Sequence, residues 1–285
     1  VSLGVQDVSA DVQRLINRVQ PFELVEKAVN DLRAAGITGI NADLMYGLPG
    51  QTVDHVRRSA KAVAGLQPDR FAVFGYAHVP WFKKHQKAID EDKLPGGAER
   101  LAQAEAVADE LGKAGYVPIG LDHFAHSEDP LYQAQINGEL RRNFQGYTVD
   151  PATMLVGLGA SSISALPQGY IQNEPHLGRY EAAIADGRLA VVRGLQFTDG
   201  DRLRGAIIER MMCHLEVDVA SFGEEAEDVL AAALPELSLM LDDGLVELDG
   251  SSVRVTDQGR PYVRNVAACF DEGHQVEPGR HSLAV

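Results

Sequence analysis

The chain has 285 residues, of which 45% are hydrophobic and 24% are charged, as expected for a globular protein with one large or two smaller domains. Its 26 Lys and Arg against 41 Asp and Glu give a formal net charge of −15, which disfavours nucleic acid and anionic membranes as partners. An anionic substrate would need a locally basic pocket. No apolar run reaches the roughly 18 residues of a membrane span and no secretion signal is recognisable, so we expect a cytoplasmic protein.

The first 125 residues alternate predicted strands and helices. Apolar residues recur at i, i+3 and i+4 in the helical segments and alternate in the strands, and Ser9 is placed to cap the first helix. The predicted strands are 1–6, 39–46, 70–77 and 116–121, and the predicted helices are 9–16, 21–35, 52–66 and 101–114. This alternation predicts an α/β fold with a parallel sheet or barrel.

Polar side chains share one face of the first two predicted strands. Because side chains alternate across a strand, Gln6 lies on the same face as Ser2 and Gly4, and Asp43 lies on the same face as Asn41. A strand covered on both sides should be apolar on both, and parallel barrels build their sites at the carboxyl ends of strands. Two interpretations stay open: these are site residues, or they are satisfied polar groups of the core.

The pattern changes after residue 125. Residues 131–140 look helical and lead into the segment Arg-Arg-Asn-Phe-Gln-Gly-Tyr-Thr at 141–148, and residues 157–164 are rich in Gly, Ala and Ser. The last of these is a weak phosphate-loop candidate, because it has no lysine and no suitable flanking strand and helix. We expect residues 126–198 to form an extension associated with the sheet or barrel.

Residues 199–285 are predicted to form a second, mostly helical domain. Helices are expected at 201–215 and 225–242, followed by an Asp-Gly hairpin between 244–250 and 253–255. Thr256 is placed to cap a helix over 257–269. Helices followed by a small hairpin resemble a winged-helix module. Its few basic residues favour a packing or lid role over DNA binding, and a regulatory or interaction role is the alternative.

Cysteine usage and the polar clusters predict no metal site. Cys213 and Cys269 are far apart and outside any zinc or disulfide spacing, so we expect buried or partly buried free thiols. Asp122, His123 and His126 could be read as a metal cluster, but further ligands are missing. No Ser-His-Asp or Cys-His pattern stands out.

Seven segments, in order along the chain, resemble the oxygen-independent coproporphyrinogen III oxidases. The segments are 4–18, 43–49, 76–80, 120–125, 142–148, 157–164 and 264–271. The resemblance therefore covers essentially the whole chain. It implies an α/β fold in which the C-terminal portion of a partial (β/α) radical-SAM barrel, residues 1–125, precedes a mostly helical, winged-helix-like C-terminal domain.

The resemblance also implies a reaction. Members of this family are radical SAM oxidoreductases, or coproporphyrinogen dehydrogenases, which convert two propionate side chains of coproporphyrinogen III to vinyl groups. The product is protoporphyrinogen IX, in haem biosynthesis without oxygen. A [4Fe-4S] cluster and two molecules of S-adenosylmethionine are implied, with a 5′-deoxyadenosyl radical taking hydrogen from the propionate. A monomer is also implied, and the electron acceptor stays open.

The resemblance assigns cofactor-binding residues by position. Gln6, Arg18, Asp43, Ala77 and Ile163 fall where the family contacts S-adenosylmethionine. An aspartate there is suited to ribose hydroxyls or the amino group, and an arginine to the methionine carboxylate.

Four further residues are assigned by the same resemblance. Gln145 falls where the family approaches a second S-adenosylmethionine. Arg141, Arg142 and His123 are candidates for binding substrate carboxylates, and a structural role is an open alternative for each.

The family's Cys-x-x-x-Cys-x-x-Cys signature is missing from this sequence, and Val1 opens in what reads as a strand already under way. We therefore expect an N-terminally truncated piece that is inactive alone, with the cluster ligands in the missing part. One alternative is a related haem chaperone, although the enzyme-type segments at 12–18 and 142–148 disfavour it. Another is a non-catalytic gene product that truly begins at Val1.

Overall fold

The first part of the molecule is a five-stranded sheet flanked by four helices. The structure, a computed structural model, describes residues 1–273. The strands are β1 (Ser2–Gln6), β2 (Asn41–Tyr46), β3 (Arg70–Gly75), β4 (Val117–Ile119) and β5 (His123–Ala125). The helices are α1 (Ala10–Leu15), α2 (Phe22–Ala34), α3 (Val53–Ala64) and α4 (Gly97–Lys113), with short 3-10 helices at Lys84–Ala88 and Glu91–Lys93. The strand order is β1-β2-β3-β5-β4.

The parallel part of the sheet follows the predicted alternation of faces. β1 pairs with β2 and β2 pairs with β3, both in parallel. Val5, Leu44 and Phe71 point to the helix-covered face, where they are 3%, 2% and 0% exposed. Because fully burying such a side chain contributes roughly 1.5–3 kcal/mol, the apolar face fixes the register of these strands against the helices.

The predicted fourth strand, residues 116–121, is present as β4, but it does not pair directly with the parallel strands. β5, which the sequence did not predict, lies between β3 and β4 and is antiparallel to both. The chain reverses at Gly120, whose φ of +53° lies in the left-handed region that glycine occupies without steric cost. Only this reversal brings His123 onto the sheet, opposite Ala72 of β3.

The two N-terminal caps differ. Thr52 caps α3 in a reciprocal arrangement with His55. Ser9 occupies the cap position of α1, but its side chain makes no capping hydrogen bond, so that predicted cap was wrong. Instead the Ser9 amide donates to the Asp7 carboxylate at 2.6 Å, which forms a local turn that leads into the helix.

The middle of the chain is built from small antiparallel units. Its elements are α5 (Pro130–Ile136), β6 (Arg141–Asn143), β7 (Gly146–Thr148), β8 (Ile163–Leu166), β9 (Gly169–Asn173), α6 (Leu177–Ala185) and β10 (Val191–Gln196). β6 and β7 form a hairpin, and a second sheet has the order β10-β9-β8. All six residues of β10 are exposed, so this sheet has an open outer edge within the described part of the chain.

The C-terminal part has its own apolar core. Its elements are α7 (Asp199–His214), β11 (Glu216–Asp218), a 3-10 helix at Val219–Phe222, α8 (Glu225–Asp242), β12 (Val246–Asp249), β13 (Ser252–Val255), a 3-10 helix at Arg260–Tyr262 and α9 (Val263–Ala268). The sheet order is β11-β13-β12, so the predicted hairpin is confirmed. Ile207, Leu237 and Phe270 are fully buried in this core.

The helix predicted over 257–269 starts later than expected. Regular α-helix begins at Val263, after a 3-10 turn. The Thr256 hydroxyl accepts from the Gly259 amide, as a cap would, but it also donates to the Gly244 carbonyl at 2.8 Å. That second bond ties the segment to the end of α8, and it favours a turn over an immediate helix.

The predicted division at residues 125 and 198 stays a prediction, and the last twelve residues of the expected 199–285 domain lie outside the described residues. Among residues 1–273, no helix has the length and apolar character needed to cross a membrane.

Gly120 offers a test of the reversal. A Cβ there would lie 2.1 Å from Cζ of Tyr147, and that ring is held by its own hydrogen bonds. We expect Gly120→Ala to lower the free energy of unfolding by about 1–2 kcal/mol from left-handed strain and by at least another ~1–3 kcal/mol from overlap. Urea unfolding would measure both terms.

Gly250 is the matched control, because its φ is +59° and no atom lies within 4 Å of the added Cβ. Gly250→Ala should therefore show the left-handed strain alone. Equal losses for the two variants would contradict the steric role of Tyr147 at the turn.

Candidate active site

A polar cluster lies on the open face of β1 and β2. The Ser2 hydroxyl donates to both carboxylate oxygens of Asp43 at 3.0 Å, and the Asn41 amide donates to one of them at 2.6 Å. Alternation placed these three residues on one face, and the structure brings them into contact. The aspartate is half-buried and keeps an accessible side, so it can accept from a further donor.

Gln6 and Arg18 converge next to this cluster. The strand register shifts between Gly4 and Gln6, and Gln6 has a left-handed φ of +68°, so the side chain of Gln6 reaches across Gly4. A Cβ on Gly4 would lie 2.8 Å from Gln6 Nε2 and 3.1 Å from Arg18 Nη2. Arg18 also donates to the Gly4 carbonyl at 2.6 Å. A side chain at position 4 would therefore displace the ends of Gln6 and Arg18 from their present positions.

A buried network that sequence reasoning missed supports this bulge. Asp7 is 0% exposed, and its carboxylate accepts from the Ser9 amide at 2.6 Å and from Gln51 Nε2 at 2.7 Å. Gln51 also donates to the Met45 carbonyl and accepts from the Leu48 amide. The end of β1 is thereby fastened to the loop after β2. A charged residue directly after a strand was the only available sequence signal.

Two acceptors on this face have no partner. Gln6 Oε1 and Asn41 Oδ1 are buried, and among residues 1–273 neither accepts a hydrogen bond. An unsatisfied buried polar atom costs about 1–3 kcal/mol, so a ligand with hydroxyl or amino donors is expected here. S-adenosylmethionine carries both kinds of donor and a carboxylate that suits Arg18. The residues present therefore fit this cofactor.

Ala77 lies beyond the end of β3 and not inside it. Its carbonyl accepts from Gln86 Nε2 at 3.0 Å, and Gln86 also accepts from the Val79 amide at 2.6 Å. The side chain of Ala77 is exposed and borders a cavity of about 1180 Å³ between the sheet and the C-terminal part. Its position allows contact through backbone or methyl group.

His123 joins the sheet to the hairpin β6–β7. Its imidazole packs edge-on against Phe74 at 6.0 Å and Tyr147 at 5.2 Å between ring centroids, and its Nδ1 lies 2.7 Å from Asp122 Oδ1. Gly146 of the hairpin packs against the same ring. This places Gln145, exposed at the hairpin turn, next in the chain to a residue that contacts His123.

The two arginines of the hairpin differ in their surroundings. Arg141 Nε lies 2.9 Å from Glu209 of α7, and this bond and charge raise the pKa of Arg141. Arg142 stacks over the Tyr147 ring at 4.9 Å and donates to its hydroxyl at 3.2 Å. The Arg142 amide donates to Glu209 at 3.2 Å, but among residues 1–273 its guanidinium has no carboxylate within 4 Å, so this guanidinium is the more available of the two for an anion.

Ile163 belongs to a different sheet from Gln6 and Asp43. It begins β8 and pairs with Gln172 in the sheet of order β10-β9-β8, whereas Gln6 and Asp43 belong to the five-stranded sheet. Gly157 of the preceding segment donates to Ser164 Oγ at 2.9 Å, so the glycine-rich stretch folds back on this strand.

The cysteines are not placed to hold an iron–sulphur cluster. Burial raises the pKa of both Cys213 and Cys269 to about 12, so both remain thiols at neutral pH, whereas cluster ligands are thiolates. Within the described range 1–273, no three His, Cys, Asp or Glu side chains are grouped for a metal ion. These residues therefore do not fit a cluster.

Two family models match the chain. The Radical SAM superfamily matches residues 1–63, and the HemN C-terminal domain matches residues 197–262. The first contains the Gln6, Arg18 and Asp43 positions, and the second contains α7, α8 and the hairpin of the C-terminal part. The Radical SAM match implies S-adenosylmethionine and a [4Fe-4S] cluster as cofactors.

Relatives match over nearly all of the chain. The oxygen-independent coproporphyrinogen III oxidase of Bradyrhizobium diazoefficiens is 51% identical over 100% of this chain, and that of Paracoccus denitrificans is 43% identical over 100%. The solved coproporphyrinogen III oxidase HemN of Escherichia coli, a radical SAM enzyme, has a TM-score of 0.89 at 38% identity and covers 95% of this chain.

The fold and the matches define the class, which is a radical SAM protein with a HemN-type C-terminal domain. They also confirm the predicted fold class. Within that class the chain is similar, over nearly its whole length, to the oxygen-independent coproporphyrinogen III oxidases. The names of the relatives favour the enzyme family over the haem chaperones. The chain spans 64% and 63% of the two curated relatives and 63% of the solved chain.

Asp7 provides a test of the support beneath Gln6. Asp7→Asn replaces one acceptor oxygen by an NH₂ group in a fully buried site. This new donor then faces the donor of Gln51 or of Ser9. We expect a loss of about 1–3 kcal/mol in the free energy of unfolding, measured by urea denaturation.

Asp31→Asn is the control for Asp7→Asn, because Asp31 forms only an exposed pair with Lys27. That pair should contribute no more than about 0.5 kcal/mol. Similar losses for the two variants would contradict the importance of the buried network.

Asp122 provides a test of pH dependence. Burial acts to raise the pKa of Asp122, but the His123 hydrogen bond and the charges of His123, Arg142 and Arg264 lower it overall. A lowered pKa contributes stability above the unfolded value of about 3.9, and this contribution is lost as pH falls through the folded value.

We therefore expect Asp122→Asn to be less stable than the parent by about 1–3 kcal/mol near pH 7, with the gap closing below about pH 4. Urea unfolding across pH would measure the gap. Asp186→Asn, which alters an exposed pair with Arg188, serves as the control. A gap that persists or widens in acid would refute this account.

Proposed function

We propose that the polypeptide carrying this chain catalyses the oxygen-independent oxidative decarboxylation of two propionate side chains of coproporphyrinogen III to vinyl groups, giving protoporphyrinogen IX. The observation that carries the proposal is the 51% identity, over the whole chain, to an oxygen-independent coproporphyrinogen III oxidase. The substrate is then a tetrapyrrole with four carboxylates. The protein would act in the cytoplasm as a monomer.

S-adenosylmethionine, when bound, supplies the hydrogen-abstracting chemistry of radical SAM enzymes. Arg18 would pair with its methionine carboxylate, and Asp43 would accept from its ribose hydroxyls or amino group. The unpartnered oxygen of Gln6, whose left-handed backbone directs the side chain over Gly4, would accept a further hydrogen bond. The support is that these three residues converge on the open face at the start of the sheet.

Ala77 and Ile163 would contribute backbone groups or apolar contact around the adenine. Gln145 would approach a second S-adenosylmethionine from the hairpin turn, beside the His123 ring. His123 and Arg142 would face substrate carboxylates, whereas Arg141 is already engaged by Glu209. The role of these groups is to bind, to orient and to exclude water, since the cofactor carries the chemistry.

The cluster would be held by residues other than these 285, which contain only two cysteines. The support is chemical, because a [4Fe-4S] cluster takes closely grouped thiolates, and it agrees with the greater length of the relatives. The chain by itself would then bind ligands without turnover.

The test is an anaerobic assay of the complete polypeptide, with its cluster reconstituted, for S-adenosylmethionine-dependent formation of protoporphyrinogen IX. Asp43→Asn should also weaken S-adenosylmethionine binding by about 10- to 100-fold, because a hydrogen bond to a charged group contributes about 1.5–3 kcal/mol. Equilibrium binding of S-adenosylmethionine measures this effect independently of turnover.

Asp31→Asn on the exposed side of α2 is the matched control and should leave both readouts unchanged. If Asp43→Asn bound S-adenosylmethionine as tightly as the parent, the assignment of Asp43 to cofactor binding would be wrong, but the proposed reaction would not be affected. Tight haem binding without product in the complete, cluster-loaded protein would remove the reaction itself.

A further inference from the structure

The cavity between the sheet and the C-terminal part is large and has two kinds of wall. Its volume of about 1180 Å³ exceeds the roughly 300–1,000 Å³ of pockets for drug-sized ligands. One wall is formed by α4 and the ends of β2 and β3, and the other by the segment around 257–264. Ala77 and Asp122 border it, so the cavity adjoins the candidate active site.

Arg260 is the most unusual charged group in this cavity. It lies in the 3-10 turn before α9, and its guanidinium is mostly enclosed, so burial lowers its pKa while Asp257 partly restores it. Among residues 1–273, no carboxylate lies within 4 Å of it and no side-chain hydrogen bond engages it. A partly buried cation without a carboxylate in contact is incompletely solvated, and an anionic ligand would compensate for the lost hydration.

Arg100 reaches the opposite wall from α4. Its guanidinium fits against the backbone of Gly47 and Gly75, where added Cβ atoms would lie 3.3 Å and 3.1 Å from it. Its Nη1 donates to the Tyr76 carbonyl at 2.8 Å, but its buried Nε has no partner, and no carboxylate among residues 1–273 lies within 4 Å. The strand ends therefore leave room for a guanidinium whose charge they do not neutralise.

Arg264 supplies a third cation, one helical turn beyond Arg260. Its Nη2 lies 3.4 Å from Asp122 Oδ2, and the same carboxylate also bonds to His123. Arg100 and Arg264 both act on the pKa of the buried Tyr46 phenol, which burial raises and these two charges lower. The two guanidinium groups therefore approach one phenol from different domains.

The acidic residues of the cavity do not cancel these charges. Glu105, Asp243 and Asp257 also line it, but all three are exposed, so water and salt screen them. Asp122 is buried but already shared between His123 and Arg264. The two partly buried arginines, Arg100 and Arg260, are thus not neutralised by a contacting carboxylate among residues 1–273, although the chain as a whole carries a formal charge of −15.

We propose that Arg100, Arg260 and Arg264 bind carboxylates of the tetrapyrrole substrate across this cavity, with Arg260 as the principal anchor. The inference rests on the proposed function and names the residues that hold its substrate. The planar guanidinium matches a carboxylate with two parallel hydrogen bonds. Because the groups come from two domains, several propionates of one molecule are held at once.

The experiment measures binding of coproporphyrin III, the stable oxidised tetracarboxylate, to the complete cluster-loaded protein by fluorescence titration. Its tetramethyl ester, which has the same ring and no carboxylates, is titrated in parallel. Arg260→Gln should weaken binding of the acid by roughly 10-fold or more, with Arg100→Gln and Arg264→Gln also weaker than the parent. Ester binding should change less than about twofold, since the lost contact is ionic.

Arg254→Gln is the matched control, because Arg254 lies in the same C-terminal part but pairs with Glu216 and Glu247 at the surface. It should bind the acid like the parent. Arg260→Lys, which keeps the charge, should recover part of the affinity and so separates a binding role from loss of folding. In turnover assays the Arg260→Gln variant should raise KM more than it lowers kcat.

Equal acid affinity in the parent and in all three arginine variants overturns the inference while leaving the proposed function intact. Parallel losses for acid and ester also overturn it, because they indicate a structural role. A parent that converts no substrate and binds neither porphyrin overturns the proposed function, and the inference with it.

Discussion

Three parts of the chain meet at one phenolic oxygen, that of Tyr147. It accepts from the Leu121 amide after β4 and from Arg142, and it donates to the Met212 carbonyl of α7. Burial raises the pKa of this phenol, so it keeps the proton that the bond to α7 requires. The sheet, the hairpin and the C-terminal part are thereby held in one arrangement. The position of His123 and the shape of the neighbouring cavity depend on it.

The hydrophobic pattern of the sequence predicted those helices and strands that neighbouring residues alone determine. The alternation that buries Leu44 and turns Asp43 to the open face belongs to β2 itself, and the amphipathic helices carry their own apolar stripes. The return of β5 between β3 and β4 was missed because Gly120 permits a reversal without requiring it. The direction is set by Tyr147, 27 residues later in the chain. The late start of α9 has a similar cause, since Thr256 bonds across to Gly244.

The same distinction holds for the candidate site, where some features were predictable from the sequence and others depend on tertiary contacts. Strand parity and family resemblance together placed Gln6 on the face of Asp43, but the register shifts before Gln6, and its side chain reaches over Gly4 only through the left-handed backbone. The support was not predictable, because Asp7 and Gln51 are 44 residues apart and become partners only in the folded chain. The pairing of Arg141 with Glu209 was not predictable for the same reason, because the two residues are 68 positions apart. Sequence identifies which side chains have useful chemistry, whereas tertiary contacts decide which of them remain free to use it.

The same distinction between side chains with and without a partner applies to the charged residues. A surface with a formal charge of −15 repels a tetracarboxylate at long range, so electrostatic steering cannot favour such a ligand. Attraction has to come from cations that act only after contact, in surroundings where water does not screen them. Arg100 and Arg260 come nearest to that condition, because both are partly buried and neither has a carboxylate within 4 Å in residues 1–273. In the proposed site an entering carboxylate would pair with guanidinium groups that water already solvates only in part, so partial burial of the cations would favour an anionic ligand over a neutral one.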